Sequence, residues 1–294
     1  MHWWGIQFCV VRPIHNDERT ILVDLLCEGF KKPRSFWSDG LERIVRLGGN
    51  AVAGVPLGYV LSDNGQPVGV VLTPASVRLT PAGAQATVVN LSSWYVAPRH
   101  RWRAPVMLQS ILRAHDAMFT DLTATPEVRK INEALGFETV NRGLIVTPLP
   151  AVALARSGGA TVRELDARAA LELPADIGPF LLRHKDIGCL PAVIETPNRL
   201  LPLLFRSTWR KGLPMAHLLY CESNSALAEY LPAVARFLVA RGMVIMVGDD
   251  RGQRLRLGQV RRPYGLKLAR PGGGLSVAPD RVDYAGSELC CLAF

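Results

Sequence analysis

Three arginines, Arg99, Arg101 and Arg103, stand within five residues of one another in a segment that can bind an anion. The apolar, β-branched stretch 86–96 precedes them and predicts a strand, and residues 105–115 follow with helical spacing. A helix that starts after a strand directs free N–H groups and a partial positive charge towards one spot. Guanidinium groups add charge-assisted hydrogen bonds to phosphate oxygens. The segment therefore predicts a pyrophosphate-like ligand.

The cysteines and histidines form no second recognisable site. The six cysteines lack C-x-x-C spacing, which indicates neither a zinc ribbon nor a disulfide framework. Reduced thiols are then expected, and the histidines lack the spacing of metal ligands. No window reaches about 18 consecutive apolar residues, so a membrane span is not expected. We predict a cytoplasmic protein without a bound metal.

The first half of the chain alternates strand and helix patterns. Residues 57–61 and 68–72 flank Asn64-Gly65, a pair that accepts the positive φ of a tight hairpin turn. Gly48 and Gly136 follow helical patterns and predict helix ends. The predicted elements are strands at 6–11, 57–61, 68–72, 86–96, 118–122, 138–141 and 144–147, and helices at 16–29, 35–47, 105–115 and 126–134.

The second half repeats part of this pattern after Pro148–Gly159, a stretch rich in Ala, Pro and Gly that predicts a boundary. Strands are expected at 161–165, 200–206, 215–221 and 243–247, and helices at 177–187 and 225–241. The helix at 225–241 leads into an apolar strand, as the helix at 105–115 does. We predict two related domains, 1–150 and 151–294.

Three landmarks in order resemble the GNAT superfamily of N-acetyltransferases. They are Val96-Ala97-Pro98 followed by Arg101, the helix after it, and Glu133-Ala134-Leu135-Gly136-Phe137, which is similar to the family's helix ending in Leu-Gly-Phe. The resemblance implies an α/β (layered α+β) fold with a mixed sheet and flanking helices, duplicated in tandem. Residues 1–150 would form the acyl-CoA-binding domain. Residues 151–294 would form a degenerate copy.

The resemblance also implies the co-substrate, an acyl-CoA and most simply acetyl-CoA, bound between strands 86–96 and 118–122. Its pyrophosphate would sit on the family's turn, whose pattern is Q/R-x-x-G-x-G/A. Arg101 matches the first position, but Ala104 and Val106 stand where small residues are expected, and Pro105 has no N–H to donate. The implied cofactor-binding residues are Tyr95, Val96, Arg101, Trp102, Arg103 and Ala104.

For catalysis, the resemblance implies direct attack of an acceptor amine on the thioester. Asn132 occupies the position of the family's tyrosine acid; it can hydrogen-bond a thiolate but supplies no proton. An ammonium acceptor must lose a proton before it attacks, and Ser92 and Ser93 could support a water chain for this. A backbone N–H near Tyr95 or Val96 would hold the oxyanion. The implied catalytic candidates are Ser93 and Asn132.

Two alternatives remain open at this point. The missing glycines, Pro105 and Asn132 equally suit a catalytically silent GNAT-like module that binds or regulates. The chain carries 34 Lys and Arg against 25 Asp and Glu, a net charge of +9. Seven basic residues and no acidic one lie in Arg251–Arg270, which would face acidic groups of the first domain, face solvent, or bind nucleic acid. The acceptor, the acyl length and the oligomeric state stay undetermined.

Overall fold

A computed structural model describes residues 9–80, 82–156, 159–256, 258–276 and 284–292. The chain forms two compact units. Unit 1 comprises the residues up to Phe137 together with Arg270–Leu275, and unit 2 comprises Glu138–Ala269 and the residues from Ser276 onwards. None of the described helices is long and apolar enough to cross a bilayer.

Unit 1 alternates strands with helices, as its pattern predicts. Its strands are β1 (Cys9–Ile14), β2 (Gly58–Asp63), β3 (Gln66–Leu72), β4 (Ala75–Leu79), β5 (Gln85–Val96) and β6 (Met118–Asp121). Its α-helices are α1 (Arg19–Phe30), α2 (Arg34–Leu47), α3 (Gly49–Ala53), α4 (Ala104–Ala114) and α5 (Pro126–Ala134). Short 3-10 helices, Asn16–Glu18 and Pro98–Arg103, precede α1 and α4.

The sheet of unit 1 is mixed. Its strands run in the order β1-β2-β3-β5-β6, and β4 pairs with the first part of β5. Asn64 and Gly65 have φ of 50° and 79°, which confirms the predicted hairpin turn between β2 and β3. β5 and β6 are parallel, so a crossover must join them, and α4 provides it with Met107, Leu108 and Ile111 buried.

Unit 2 has its own set of elements. Its strands are β7 (Glu138–Thr139), β8 (Leu144–Pro148), β9 (Thr161–Glu164), β10 (Cys189–Glu195), β11 (Leu200–Arg210), β12 (Leu213–Cys221), β13 (Ile245–Asp249), β14 (Val260–Arg262) and β15 (Leu268–Arg270, whose last residue belongs to unit 1). Its α-helices are α6 (Leu149–Ala153), α7 (Ala167–Glu172), α8 (Gly178–Arg183), α9 (Asn224–Val239) and α10 (Glu288–Cys291). A 3-10 turn, His184–Ile187, follows α8.

The main sheet of unit 2 has the order β14-β8-β13-β12-β11-β10-β9. β12 and β13 run parallel and α9 connects them, while the other described neighbours in this sheet are antiparallel. α9 buries a face that includes Leu231, Val234 and Leu238 in the core of the unit. Both units thus contain a strand-helix-strand element with a parallel pair.

Three sequence predictions about organisation need correction. The strand at 144–147, predicted to close the first domain, is β8 and pairs with β13 and β14 of unit 2. The stretch predicted as a boundary contains α6, whose Leu149 and Val152 are buried in the unit 2 core. Prolines are tolerated at the first turn of a helix, which is why this Pro-rich stretch folds. The units divide at Phe137/Glu138 rather than at residue 150.

The remaining differences concern strands and short helices, since α3, α7, α10, β14 and β15 have no counterpart among the predicted elements. The sequence pattern did not predict β4 or β10. Each of these strands pairs along its length with a longer neighbour, β5 and β11 respectively. The strand predicted at 6–11 is described from Cys9 to Ile14, and its first three residues lie outside the described part of the chain. Most other elements match their predicted positions within a few residues.

Candidate functional site

The site begins where the parallel pairing of β5 and β6 ends. The last paired residues are Leu91 and Asp121, yet β5 continues to Val96 beside β3. Along that stretch Val70 pairs with Tyr95 and Leu72 with Ser92, so β5 carries one extra residue, a β-bulge. Ser93 lies in the bulge with φ of 51°, a conformation that L-residues seldom adopt.

The side chains around the bulge are polar and placed by contacts within unit 1. The hydroxyls of Ser92 and Ser93, both buried, are 3.1 Å apart and form a hydrogen bond. The Tyr95 hydroxyl donates to Glu28 Oε1 of α1 at 2.7 Å. Burial, with this contact, raises the pKa of Tyr95. A Cβ at Gly29 would lie 2.4 Å from the Tyr95 ring, so the glycine permits the ring's close packing on α1.

The basic segment after β5 is helical rather than the turn that the resemblance implies. Pro98–Arg103 forms a 3-10 helix that continues directly into α4. Pro98 has the φ suited to a helix start, and no glycine interrupts the run. The N–H of Ala104 consequently donates to the carbonyl of Arg101. In this conformation that N–H is already committed, contrary to what a phosphate-binding turn at Ala104 requires.

The arginines of this segment divide by exposure. Arg103 is buried and its Nη1 lies 3.1 Å from Asp63 Oδ1 of β2, while its guanidinium covers the Trp102 ring at 4.6 Å. Arg99 and Arg101 are exposed, and 70% of Trp102 is exposed as well. Of the predicted cofactor-binding residues in this segment, Arg101 and Trp102 therefore lie on the surface, whereas Arg103 is buried in an ion pair with Asp63.

Asp121 and Asn132 form a buried pair at the end of β6. Asn132 Nδ2 donates to Asp121 Oδ2 at 2.8 Å, and the N–H of Thr123 donates to Asp121 Oδ1 at 3.3 Å. Burial raises the pKa of Asp121 to about 6, against the opposing effect of these hydrogen bonds. Asn132 is fully buried, and its Oδ1 has no hydrogen-bond partner among the residues that the structure describes. A carboxyl group of this pKa exchanges its proton close to neutral pH.

Sequence reasoning anticipated part of this arrangement. Ser93, Tyr95 and Val96 lie on the part of β5 beyond the parallel pairing, and Asn132 lies in α5 against Asp121. The partnerships of Tyr95 with Glu28 and of Arg103 with Asp63 were missed, because each joins residues far apart in the chain and leaves no local pattern. Among the described residues, no group of three His, Cys, Asp or Glu side chains is placed to hold a metal ion.

Solved structures of similar fold identify the architecture. A GCN5-related N-acetyltransferase from Anabaena variabilis matches with a TM-score of 0.58 at 11% identity, over 90% of this chain and 72% of that one. One from Kribbella flavida matches at 0.53 and 12%, over 90% and 71%. A candidate acetyltransferase from Pyrococcus horikoshii matches at 0.54 and 13%, over 100% and 99%. The chain has the GNAT fold.

The GNAT fold confirms the predicted fold class, a mixed α/β architecture with flanking helices. No family model matches the sequence, and no curated protein matches it either. At 11–13% identity the three structures carry the fold alone, so the chemistry has to be argued from the residues around the bulge.

Proposed function

We propose that the protein is an acyl-CoA-dependent N-acyltransferase whose site lies in unit 1. The observation that carries this proposal is the bulge in β5 at Ser93, beyond the last residue that pairs with β6. In a GNAT fold this is the place where a thioester can lie beside free strand backbone. The resemblance of the Val96–Phe137 segment to the family supports the same unit. Acetyl-CoA is the simplest co-substrate, and an amine is the acceptor.

Exposed cationic groups beside the bulged strand fit the anionic part of the co-substrate. Arg101, with Arg99 next to it, would bind the pyrophosphate through charge-assisted hydrogen bonds. Trp102 offers an exposed ring to the rest of the nucleotide. Arg103 would act indirectly, because its ion pair with Asp63 holds the start of α4 against β2. The chain would supply binding and orientation, and the thioester would supply the activated acyl group.

Proton transfer is assigned to the polar groups at the end of the parallel pair. Asp121, with a pKa of about 6, can take up the proton that an ammonium acceptor must lose. The hydrogen-bonded hydroxyls of Ser92 and Ser93 lie on the neighbouring strand, just beyond Leu91, the residue paired with Asp121. Asn132 would position the Asp121 carboxyl rather than act as an acid, because it already donates to that carboxyl.

A catalytically silent module is the second candidate, and one observation favours it. The N–H of Ala104 donates within the 3-10 helix, which removes a backbone donor from the expected phosphate turn. Under this alternative unit 1 would bind a partner or ligand without turnover. In both cases we propose a cytoplasmic protein of two GNAT-like domains, the second degenerate; the bulge and the parallel pair that unit 2 shares with unit 1 support the duplication.

A thiol-release assay separates the two candidates. The protein is incubated with acetyl-CoA and a panel of primary amines, and free CoA thiol is measured. We expect the release of CoA thiol to require an amine. In the wild type its rate should change with pH near neutrality, and Asp121→Asn should abolish that change. Asp116→Asn, in the loop before β6, is the matched control and should keep the wild-type profile. Binding of acetyl-CoA by folded protein without release for any amine would favour the silent module.

A further inference from the structure

The basic segment Arg251–Arg270 separates into committed and uncommitted side chains. Arg261 binds Asp250 at 2.8 Å, Lys267 binds Asp249 at 2.7 Å, and Arg251 lies 4.0 Å from Asp249. The acidic partners of these three side chains therefore belong to unit 2 itself. The sequence alone also allowed acidic groups of the first domain as partners. Arg254 and Arg256, in contrast, have no ion-pair partner among the described residues and line a pocket.

This pocket lies within unit 2 between α9, the sheet and the segment that carries the two arginines, and it opens to solvent, which makes up part of its space of about 480 Å³. One wall is the first turn of α9 at Asn224, and the positive end of that helix dipole favours a negative ligand group. The floor is aliphatic and consists of Ile145, Leu218, Leu227, Ala228, Leu231 and Met246. Cationic groups at the mouth and an aliphatic floor specify an amphipathic anion.

Hydrogen bonds of Gln253 and Gln259 anchor the backbone of the segment that carries the two arginines. Gln253 Nε2 donates to the carbonyl of Asp249 at 2.9 Å, and Gln253 Oε1 accepts from the N–H of Arg251 at 2.7 Å. Gln259 Nε2 donates to Thr147 Oγ1 at 2.9 Å, and its Oε1 accepts from the N–H of Arg256 at 2.8 Å. The backbone that presents the cations is thus anchored on both sides, which lowers the entropic cost of binding.

We propose that unit 2 binds a small aliphatic carboxylate in this pocket, with the carboxylate between Arg254 and Arg256 and the chain on the aliphatic floor. A planar carboxylate matches the guanidinium fork. Leu and Met side chains accommodate a flexible chain. An amine is disfavoured by the two cations, and Asp249, the acidic residue of the lining, is already bound to Lys267 and Tyr284. This site is independent of the acyltransferase site proposed in unit 1.

Binding calorimetry with octanoate on the full-length protein tests the proposal. Acetate, butanoate and octanoate form a length series, octanol removes the charge, and inorganic phosphate supplies charge without a chain. We expect affinity to rise with length, by up to about fourfold per methylene group at full burial. Octanol and phosphate should bind at least about tenfold more weakly than octanoate.

Variants assign the carboxylate to its partners. Arg254→Gln and Arg256→Gln should each lower octanoate affinity by about tenfold or more. Arg262→Gln, an exposed arginine of β14 that does not line the pocket, is the matched control and should bind as the wild type does. All three positions are exposed, so circular dichroism should report unchanged folding. Absence of octanoate binding at millimolar concentration, equal binding of phosphate, or equal loss in Arg262→Gln would overturn the proposal.

Discussion

The two units place an aspartate at the end of the second strand of their parallel pair, and the two carboxylates behave differently. Asp121 ends β6 and has an amide and a backbone N–H as hydrogen-bond donors, so burial prevails and raises its pKa to about 6. Asp249 ends β13, where burial would also raise its pKa, but the Lys267 ammonium, the Tyr284 hydroxyl and Arg251 together lower it. A similar strand end thus carries a titratable group in unit 1 and a fixed charge in unit 2.

The β-bulges next to these strand ends also differ, because the one in unit 1 is polar and the one in unit 2 is apolar. In unit 1 the bulge holds Ser93 at positive φ with its hydroxyl bonded to Ser92. In unit 2 the register of β11 and β12 shifts so that β12 has one extra residue, Leu219. Leu219 is buried, and its φ is not positive. Unit 1 has polar, exchangeable groups where unit 2 has packed side chains and ion-paired charges, and this contrast supports the proposal that the proton chemistry belongs to unit 1.

Removing the cation of the unit 2 pair should produce the largest effect. Lys267→Met leaves Asp249 buried beside two remaining partners, and we expect the free energy of unfolding to fall by about 3–5 kcal/mol. Urea denaturation measures the change. Lys185→Met removes one partner of an exposed pair with Glu164 and should cost no more than about 1 kcal/mol. Similar small losses in both variants would contradict a locked charge in unit 2.

The titration of Asp121 should appear as a pH dependence of stability. Its pKa is about 6 in the folded protein against a reference value of 3.8, so the folded state binds more protons between these values. The stability of the wild type relative to Asp121→Asn should therefore fall as the pH rises from about 4 to about 6, by about 3 kcal/mol. Thermal or urea unfolding across this range provides the difference, and a flat difference would contradict the raised pKa.

Asp249 should show the opposite sign. Because its pKa is lowered in the folded protein, its stabilising contribution is present above the unfolded pKa and is lost as the pH falls through the folded one. The stability of the wild type relative to Asp249→Asn should accordingly decrease on acidification below about pH 4. A decrease with rising pH instead would show that the two strand ends are alike.

Glycine and alanine substitutions at the two bulges should produce a smaller change in stability, and the more stable variant should differ between the two positions. At Ser93 the positive φ strains any side chain, so Ser93→Gly should be more stable than Ser93→Ala by about 1 kcal/mol. Leu219 does not have a positive φ, so glycine only adds backbone freedom to the unfolded chain there. Leu219→Ala should therefore be more stable than Leu219→Gly by roughly 0.5–1 kcal/mol. Chemical denaturation of the four variants measures both differences. The same order at both positions would mean that the bulges do not differ in backbone strain.

The sequence predicted the features that local chemistry determines. Asn64-Gly65 specified a hairpin turn, and alternating or helical spacing located β5, α4, β6 and α5. Features that depend on distant partners were beyond it. Assigning β8 to unit 2 requires knowing that it pairs with β13 rather than with a strand of unit 1. The raised pKa of Asp121 likewise depends on burial, which a single sequence does not state.

Titration calorimetry with acetyl-CoA tests most directly whether unit 1 holds the acyl-CoA site. The wild type, Arg101→Ala in unit 1 and Arg254→Gln in unit 2 are compared under the same conditions. We expect the wild type to bind, Arg101→Ala to lose about 1.5–3 kcal/mol of binding free energy, and Arg254→Gln to bind as the wild type does. No binding by the folded wild type at millimolar acetyl-CoA, or weakening by Arg254→Gln alone, would contradict the assignment.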